Sequence, residues 1–255
     1  MSPPIFLAVC LFFPAAIPAR AAVWTAGHGD LSIGYTTGAN PAFTALWMVG
    51  TGGDTGIVDG MDVYDAPYFP HELAPRAGLF QLASPDAART GGSLLYLLPQ
   101  DGTDASFVGA PFQGWAVAGI PAGTFSGNRI SLSLAGVSGP GPVSLWSDGA
   151  FGDPEFKWTS ADGFSAADRL ELSTFGHSHY NIGFTHPGDY LLNVVISGDL
   201  TAGGSISTPV TLNYVVVPEP GAAACLFATS IFFASARQRR WQFQPRPPVI
   251  GSGPQ

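Results

Sequence analysis

Residues 176–197 read GHSHYNIGFTHPGDYLLNVVIS. Successive side chains on a β-strand point to opposite faces, so this stretch sorts itself. His177, His179 and Asn181 fall on one face, while Tyr180, Ile182 and Phe184 fall on the other, which is apolar enough to meet a core. Pro187-Gly188 suits the centre of a type II turn, because Pro fixes a negative φ and Gly accepts a positive one. Beyond it, Tyr190, Leu192, Val194 and Ile196 again share a face. The expectation is a hairpin of 177–184 and 190–197 with His186 at its tip.

The same alternation recurs along the chain. Leu31, Ile33 and Tyr35 alternate with polar or small residues, as do Ile130, Leu132 and Leu134, and later Val210, Leu212, Tyr214 and Val216; LLYLL at 94–98 is continuously apolar. Glycine (33 residues) and proline (23) punctuate the whole sequence, and no long stretch carries a helical period. Residues 50–60, GTGGDTGIVDG, read as a loop. Many short strands between turns predict an all-β fold, an antiparallel β-sandwich of the immunoglobulin-like or jelly-roll type. Its expected core includes Leu31, Ile33, Tyr35, Tyr180, Ile182, Phe184, Leu192 and Val194.

Both ends read as targeting segments. Residues 1–21 hold an apolar run followed by Ala19-Arg20-Ala21, the pattern of a secretory signal peptide, although no Lys or Arg precedes the run. At the other end, Pro218-Glu219-Pro220 precedes an apolar stretch, Gly221 to Ala236, and then Arg237, Arg239 and Arg240. The apolar stretch is short against the roughly 20 residues of a membrane-spanning helix. The basic cluster behind it would stay cytoplasmic, leaving the body of the chain outside. The expected organisation is a signal peptide at 1–21, a β-sandwich domain at 22–217, a sorting segment with a transmembrane helix at 218–240 and a short tail at 241–255.

The expected exported part carries 17 acidic residues against 5 basic ones. Such a surface repels phosphate backbones, so nucleic acid is excluded as a partner, while cations are favoured. Cys10 and Cys225 both lie in the terminal segments. The domain between them must be held by its core, without a disulfide.

Three of the five histidines lie within ten positions, at 177, 179 and 186. The first strand shows a matching feature, since His28 and Asp30 share the face opposite Leu31 and Ile33. Zinc favours neutral imidazole and a tetrahedral set of three or four ligands. Two histidines at i and i+2 can face one centre, which a third histidine and a carboxylate from a neighbouring strand would complete. His28, Asp30, His177 and His179 form that set. Asp62, Asp65, His71 and His186 are further candidates, and the alternative is a solvated polar face. Asp59, Asp62 and Asp65 do not have the spacing of an EF-hand calcium loop. GVSGP at 136–140 lacks the last glycine of G-x-S-x-G. Trp47, Trp115, Trp146 and Trp158 could stack on sugars, but a sandwich of this size uses such residues in its core.

Two resemblances follow from these motifs. The Pro-Glu-Pro, apolar and arginine series resembles the PEP-CTERM sorting signal of Gram-negative bacteria, with the tail after Arg240 longer than usual. It implies processing by an exosortase-type enzyme, an inner-membrane-anchored precursor and a final place at the cell surface or in the extracellular matrix. GHGDLSIGY at 27–35 and GHSHYNIGFTHPGDYLLNVVISG at 176–198 resemble the two ends of the bacterial surface-anchored domain called choice-of-anchor M, with LLYLLPQ, FVGAPFQGW and LAGVSGPGPVSLW in the expected order between them. Ile182 stands where relatives often have an aromatic residue. This resemblance implies extracytoplasmic metal handling, with zinc or another divalent metal as cofactor and a metal-uptake transporter as partner. The expectation is therefore a metal-binding surface protein without enzymatic activity. The rivals are a structural or exopolysaccharide-binding matrix component and, ranked last, a metal-assisted hydrolase.

Overall fold

The structure, a computed structural model, describes residues 20–218. Nearly all of the expected signal peptide, and the sorting segment beyond Pro218, lie outside these residues. Among the described residues, no helix is long and apolar enough to cross a membrane.

The described chain is built mainly of strands. In order they are β1 (Ala22–Ala26), β2 (His28–Thr36), β3 (Ala42–Val49), β4 (Gly56–Val58), β5 (Met61–Val63), β6 (Ala66–Tyr68), β7 (Leu73–Ala77), β8 (Gln81–Ala83), β9 (Leu94–Leu98), β10 (Phe112–Val117), β11 (Arg129–Ser138), β12 (Val143–Asp148), β13 (Pro154–Thr159), β14 (Arg169–Ser173), β15 (His177–His179), β16 (Asn181–Phe184), β17 (Gly188–Asp199) and β18 (Ser205–Val216). Two short helices, α1 (Ala87–Thr90) and α2 (Gly102–Val108), begin at Asp86 and Asp101, whose carboxylates accept from the first free backbone N–H groups.

The strands form three sheets. The eight-stranded sheet runs β14-β11-β17-β18-β7-β1-β4-β5, one five-stranded sheet runs β15-β10-β2-β3-β6, and the other runs β13-β12-β16-β9-β8. Most pairs are antiparallel. Three, β1/β7, β2/β10 and β7/β18, are parallel, against the purely antiparallel expectation. Each joins strands distant in sequence, and parallel pairs need long crossovers that a local hydrophobic period does not reveal.

One continuous apolar cluster lies between the sheets, giving a sandwich-like all-β architecture. Trp24, Trp47, Trp115 and Trp158 are fully buried in it, with Tyr190, Phe184 and Leu31. Side chains of this size each remove roughly 150–250 Å² from water, and at about 25 cal/mol per Å² they dominate the stability of the core. The expected core residues lie there, Tyr35 and Tyr180 being partly buried and the rest buried. Of the tryptophans that could have stacked on sugars, Trp47, Trp115 and Trp158 lie in this core and Trp146 is also buried, so none of the four is free to do so.

The expected hairpin of 177–184 with 190–197 does not form. The chain leaves the strand pattern at Tyr180 and changes sheet there. β15 pairs with β10, β16 lies between β12 and β9, and β17 pairs with β11 and β18. Asn181 fixes the entry to the second sheet by accepting from Gln100 N–H at 2.9 Å and donating to Asp148 at 3.1 Å. Gly188 does take a positive φ of 135°, but it opens β17 instead of closing a hairpin. The 50–60 segment is also more ordered than a loop. It holds a 3₁₀ turn at Thr51–Gly53 and strand β4, which pairs with both β1 and β5.

Candidate metal centre

β2, β10 and β15 lie side by side, and their register decides what meets on the face away from the core. Phe112 of β10 stands beside His28; Gly114 stands between Asp30 on one side and His179 on the other; Ala116 stands between Ser32 and His177. The middle strand thus offers Phe, Gly and Ala in succession, flanked by the polar residues of its neighbours. Leu31, Ile33, Trp115 and Val117 take the opposite face and are buried in the core. Core burial therefore locks the register, because a one-residue slip would turn the histidines inward.

Gly114 makes the space for the cluster. A Cβ placed there would overlap Asp30 Oδ1, and it would lie 2.8 Å from His177 Nε2 and 2.9 Å from His179 Cε1. Three functional side chains thus converge over one glycine. A glycine inside a strand pattern signals such a close approach. That signal was present in FQGWAV, but sequence reasoning did not use it.

The ligand atoms of His28, Asp30, His177 and His179 all lie within 4.8 Å of one another. Among the described residues no other group of three or more His, Cys, Asp or Glu side chains gathers closely enough to share a metal ion. Asp62, Asp65, His71 and His186 are not part of it. His71 stacks on Phe69 with 5.9 Å between ring centres, and His186 meets the Thr185 hydroxyl at 2.8 Å.

Each imidazole is held differently. His28 Nδ1 lies 3.3 Å from the Thr51 carbonyl and 3.1 Å from its hydroxyl. As a donor to that carbonyl, it leaves Nε2 with a free lone pair. Nε2 is buried and lies 3.5 Å from Asp30 Oδ1, too far for a well-formed hydrogen bond, so it stands without a full partner. Thr51 reaches His28 from the glycine-rich turn, where Gly50 and Gly52 take φ of 77° and 72°. His179 Nδ1 donates to the Gln113 carbonyl at 2.9 Å, which likewise directs its Nε2 lone pair away from the backbone. The His179 ring lies flat on Phe112, with centres 3.8 Å apart and planes within 5°. His177 Nε2 lies 2.8 Å from Asp30 Oδ1.

The charges are coupled. The hydrogen-bonding proximity of Asp30 raises the pKa of His28, outweighing the burial that would lower it. Burial pushes the Asp30 carboxyl upward, but contact with His28 and the nearby charge of His177 hold it below the ordinary carboxylate range. Burial lowers the pKa of His179, only partly opposed by the Gln113 carbonyl. One buried carboxylate thus lies against two imidazoles, and the third, His179, is biased toward the neutral, ligating form.

The donor set fits zinc in kind, since it offers nitrogen and carboxylate oxygen and two of its imidazoles have the second ring nitrogen engaged by a backbone oxygen. It also fits in size. Tetrahedral bonds of about 2.0–2.1 Å place ligand atoms some 3.4 Å apart, so atoms within 4.8 Å reach that arrangement by small side-chain rotations. No family model, curated protein or solved structure matches the chain. The resemblance to the choice-of-anchor M domain rests on the motifs quoted above.

Proposed function

We propose that this protein binds a divalent metal, zinc foremost, at His28, Asp30, His177 and His179, and that it does so outside the cell as a surface-anchored protein of a Gram-negative bacterium. The observation that carries the metal reading is the convergence of Asp30, His177 and His179 over Gly114, with the His28 imidazole within 4.8 Å and its buried Nε2 left without a full partner. An unpaired buried polar atom costs about 1–3 kcal/mol, and a metal ion would relieve it. The export reading is supported by the terminal sequence motifs, which also suggest exosortase processing, a transient membrane anchor and a role in metal handling beside an uptake transporter. The sandwich-like body is compatible with a jelly-roll or immunoglobulin-like type, and the proposal gives it no catalytic role. The matrix-component reading loses its sugar-stacking tryptophans to the core.

The test is equilibrium dialysis of the full chain against zinc, followed by elemental analysis and competition with a metal-sensing dye. One zinc per chain is expected, with affinity lost on replacing His28 or His179 by Ala. If those variants bind as tightly as the parent, these residues do not form the site.

A further inference from the structure

The ligands of the proposed site are unequally held. His28 and Asp30 lie on β2, a strand paired on both edges, and their side chains are only 14% and 12% exposed. His28 is tied by Thr51, and His179 by the Gln113 carbonyl and the flat face of Phe112. His177 differs. Its side chain is 47% exposed. It opens a three-residue strand at the outer edge of its sheet, paired only with β10, and directly follows an exposed turn through Phe175. Its polar contact among the described residues is Asp30 Oδ1, so its own second nitrogen is free of any backbone tether. Three ligands therefore form a fixed floor, and the fourth is a solvent-facing flap.

Resting on the metal reading, we infer that His177 is the exchange ligand of the site, and that the protein passes its metal to a chelating acceptor instead of retaining it as a structural ion. The acceptor is any molecule that presents imidazole or carboxylate donors to the exposed side. One donor atom of the acceptor forms a bond as the His177 Nε2 bond breaks, so the number of bonds to the ion is conserved and no electron changes hands. The freed imidazole leaves neutral with its proton on Nδ1; after Asp30 too has released the ion, Nε2 takes a proton from water as Nδ1 returns one, and Nε2–H then donates to Asp30 Oδ1, the contact seen in this structure. His28, Asp30 and His179 then release in turn as further acceptor donors enter. A closed structural site would require a ligand to leave before any acceptor could enter, whereas an exposed edge ligand lets the acceptor bind first.

Stopped-flow transfer of zinc from the loaded full chain to EDTA tests the inference. The observed rate is expected to rise in proportion to EDTA concentration over at least a tenfold range. His177→Ala should keep measurable zinc binding, weakened about tenfold, and release its zinc about tenfold faster, whereas His28→Ala and His179→Ala should lose about 100-fold or more in affinity. Unfolding curves of the metal-free variants check that each folds, and His177→Asn, which keeps a polar side chain at the edge, should behave as His177→Ala does. A transfer rate independent of EDTA concentration would overturn the inference, as would a His177 variant as weak as the His28 variant and no faster to release. If the parent binds no zinc at all, the metal reading itself falls, and the exchange role falls with it.

Discussion

Replacing Gly114 by Ala is the smallest change that separates the candidate site from the fold. The backbone permits it, because Gly114 is not among the glycines with positive φ. In a strand interior, Ala is roughly 0.5–1 kcal/mol better than Gly on conformational grounds. The added methyl, however, overlaps Asp30 Oδ1 and stands 2.8 Å and 2.9 Å from atoms of His177 and His179. Ordinary carbon contacts lie near 3.5 Å or beyond, so Asp30 must retreat by about an ångström or more and both rings by about half that. Metal–ligand bonds tolerate displacements of only about 0.2 Å.

The consequence can be put in numbers. Apparent binding energies of structural zinc are roughly 10–16 kcal/mol, or about 3 kcal/mol for each of four ligands. Losing the Asp30 bond alone then weakens binding by about 100-fold, and disturbing the rings adds to this. The thermal midpoint of the metal-free protein should move by no more than about 3 °C, because the displaced groups lie on the face of the sheet away from the apolar core. Gly136→Ala is the matched control, since its Cβ meets Asn193 atoms at 3.5 Å and 3.8 Å, ordinary contact distances, on a different sheet. The assay is zinc competition against a chelating dye with unfolding curves of the same samples. Parent-like affinity in the Gly114 variant would refute the placement of the metal over this glycine, whatever the histidine variants showed.

Zinc affinity should fall as pH is lowered. Protons compete first at His28, whose raised pKa puts competition above the ordinary value of about 6.5, and at His179 only below it, so a plot of log Kd against pH should steepen between about pH 7 and 5; a flat plot would exclude imidazole ligation. The metal-free protein has its own pH behaviour. The raised His28 value adds stability that is fully present below about 6.5 and is lost as pH climbs through the folded value, whereas the lowered Asp30 value adds stability present above about 3.9 and lost as pH falls through the folded one; unfolding curves across both windows check this. Zinc at 100 times its Kd should stabilise the fold by about 2.7 kcal/mol, a rise of roughly 5–10 °C in melting temperature, and an unchanged midpoint would show that the native state binds no zinc. Intact mass spectrometry of exported material should find a chain beginning near Ala22 and lacking the residues beyond Pro220; a full-length mass would refute the processing proposal.

Much of this arrangement could be read from alternation alone. The period of two assigned His28 and Asp30 to one face and Leu31 and Ile33 to the other, and it did the same for His177 and His179 against Ile182. Burial of Leu31, Ile33 and Ile182 makes those assignments physical, since moving them to the other face would expose three large apolar side chains and bury three imidazoles. What alternation cannot give is the identity of the neighbouring strand. Nothing in FQGWAV announces that it lies between β2 and β15, and its parallel pairing with β2 spans a long separation in sequence. Gly114, Phe112 and the Gln113 carbonyl were therefore missed. Thr51 is not legible either, because the glycine-rich 50–60 segment reads only as a loop, whereas its left-handed glycines turn the threonine toward His28.

The false hairpin shows the same boundary from another side. The parity assigned across 177–184 places His177 and His179 away from the core and Ile182 and Phe184 in it, as observed, yet the two halves belong to different sheets, and Asn181, expected beside the histidines, is buried against Gln100 and Asp148. A face assignment survives a change of sheet as long as the core stays on the same side of the chain. A pairing assignment does not, because pairing depends on which strands the rest of the chain brings alongside. The proposed role of the histidine pair depends on the break. Freed from β16, the short edge strand carries His177 and His179 to β10, where the one residue without a side chain leaves room for them to meet Asp30.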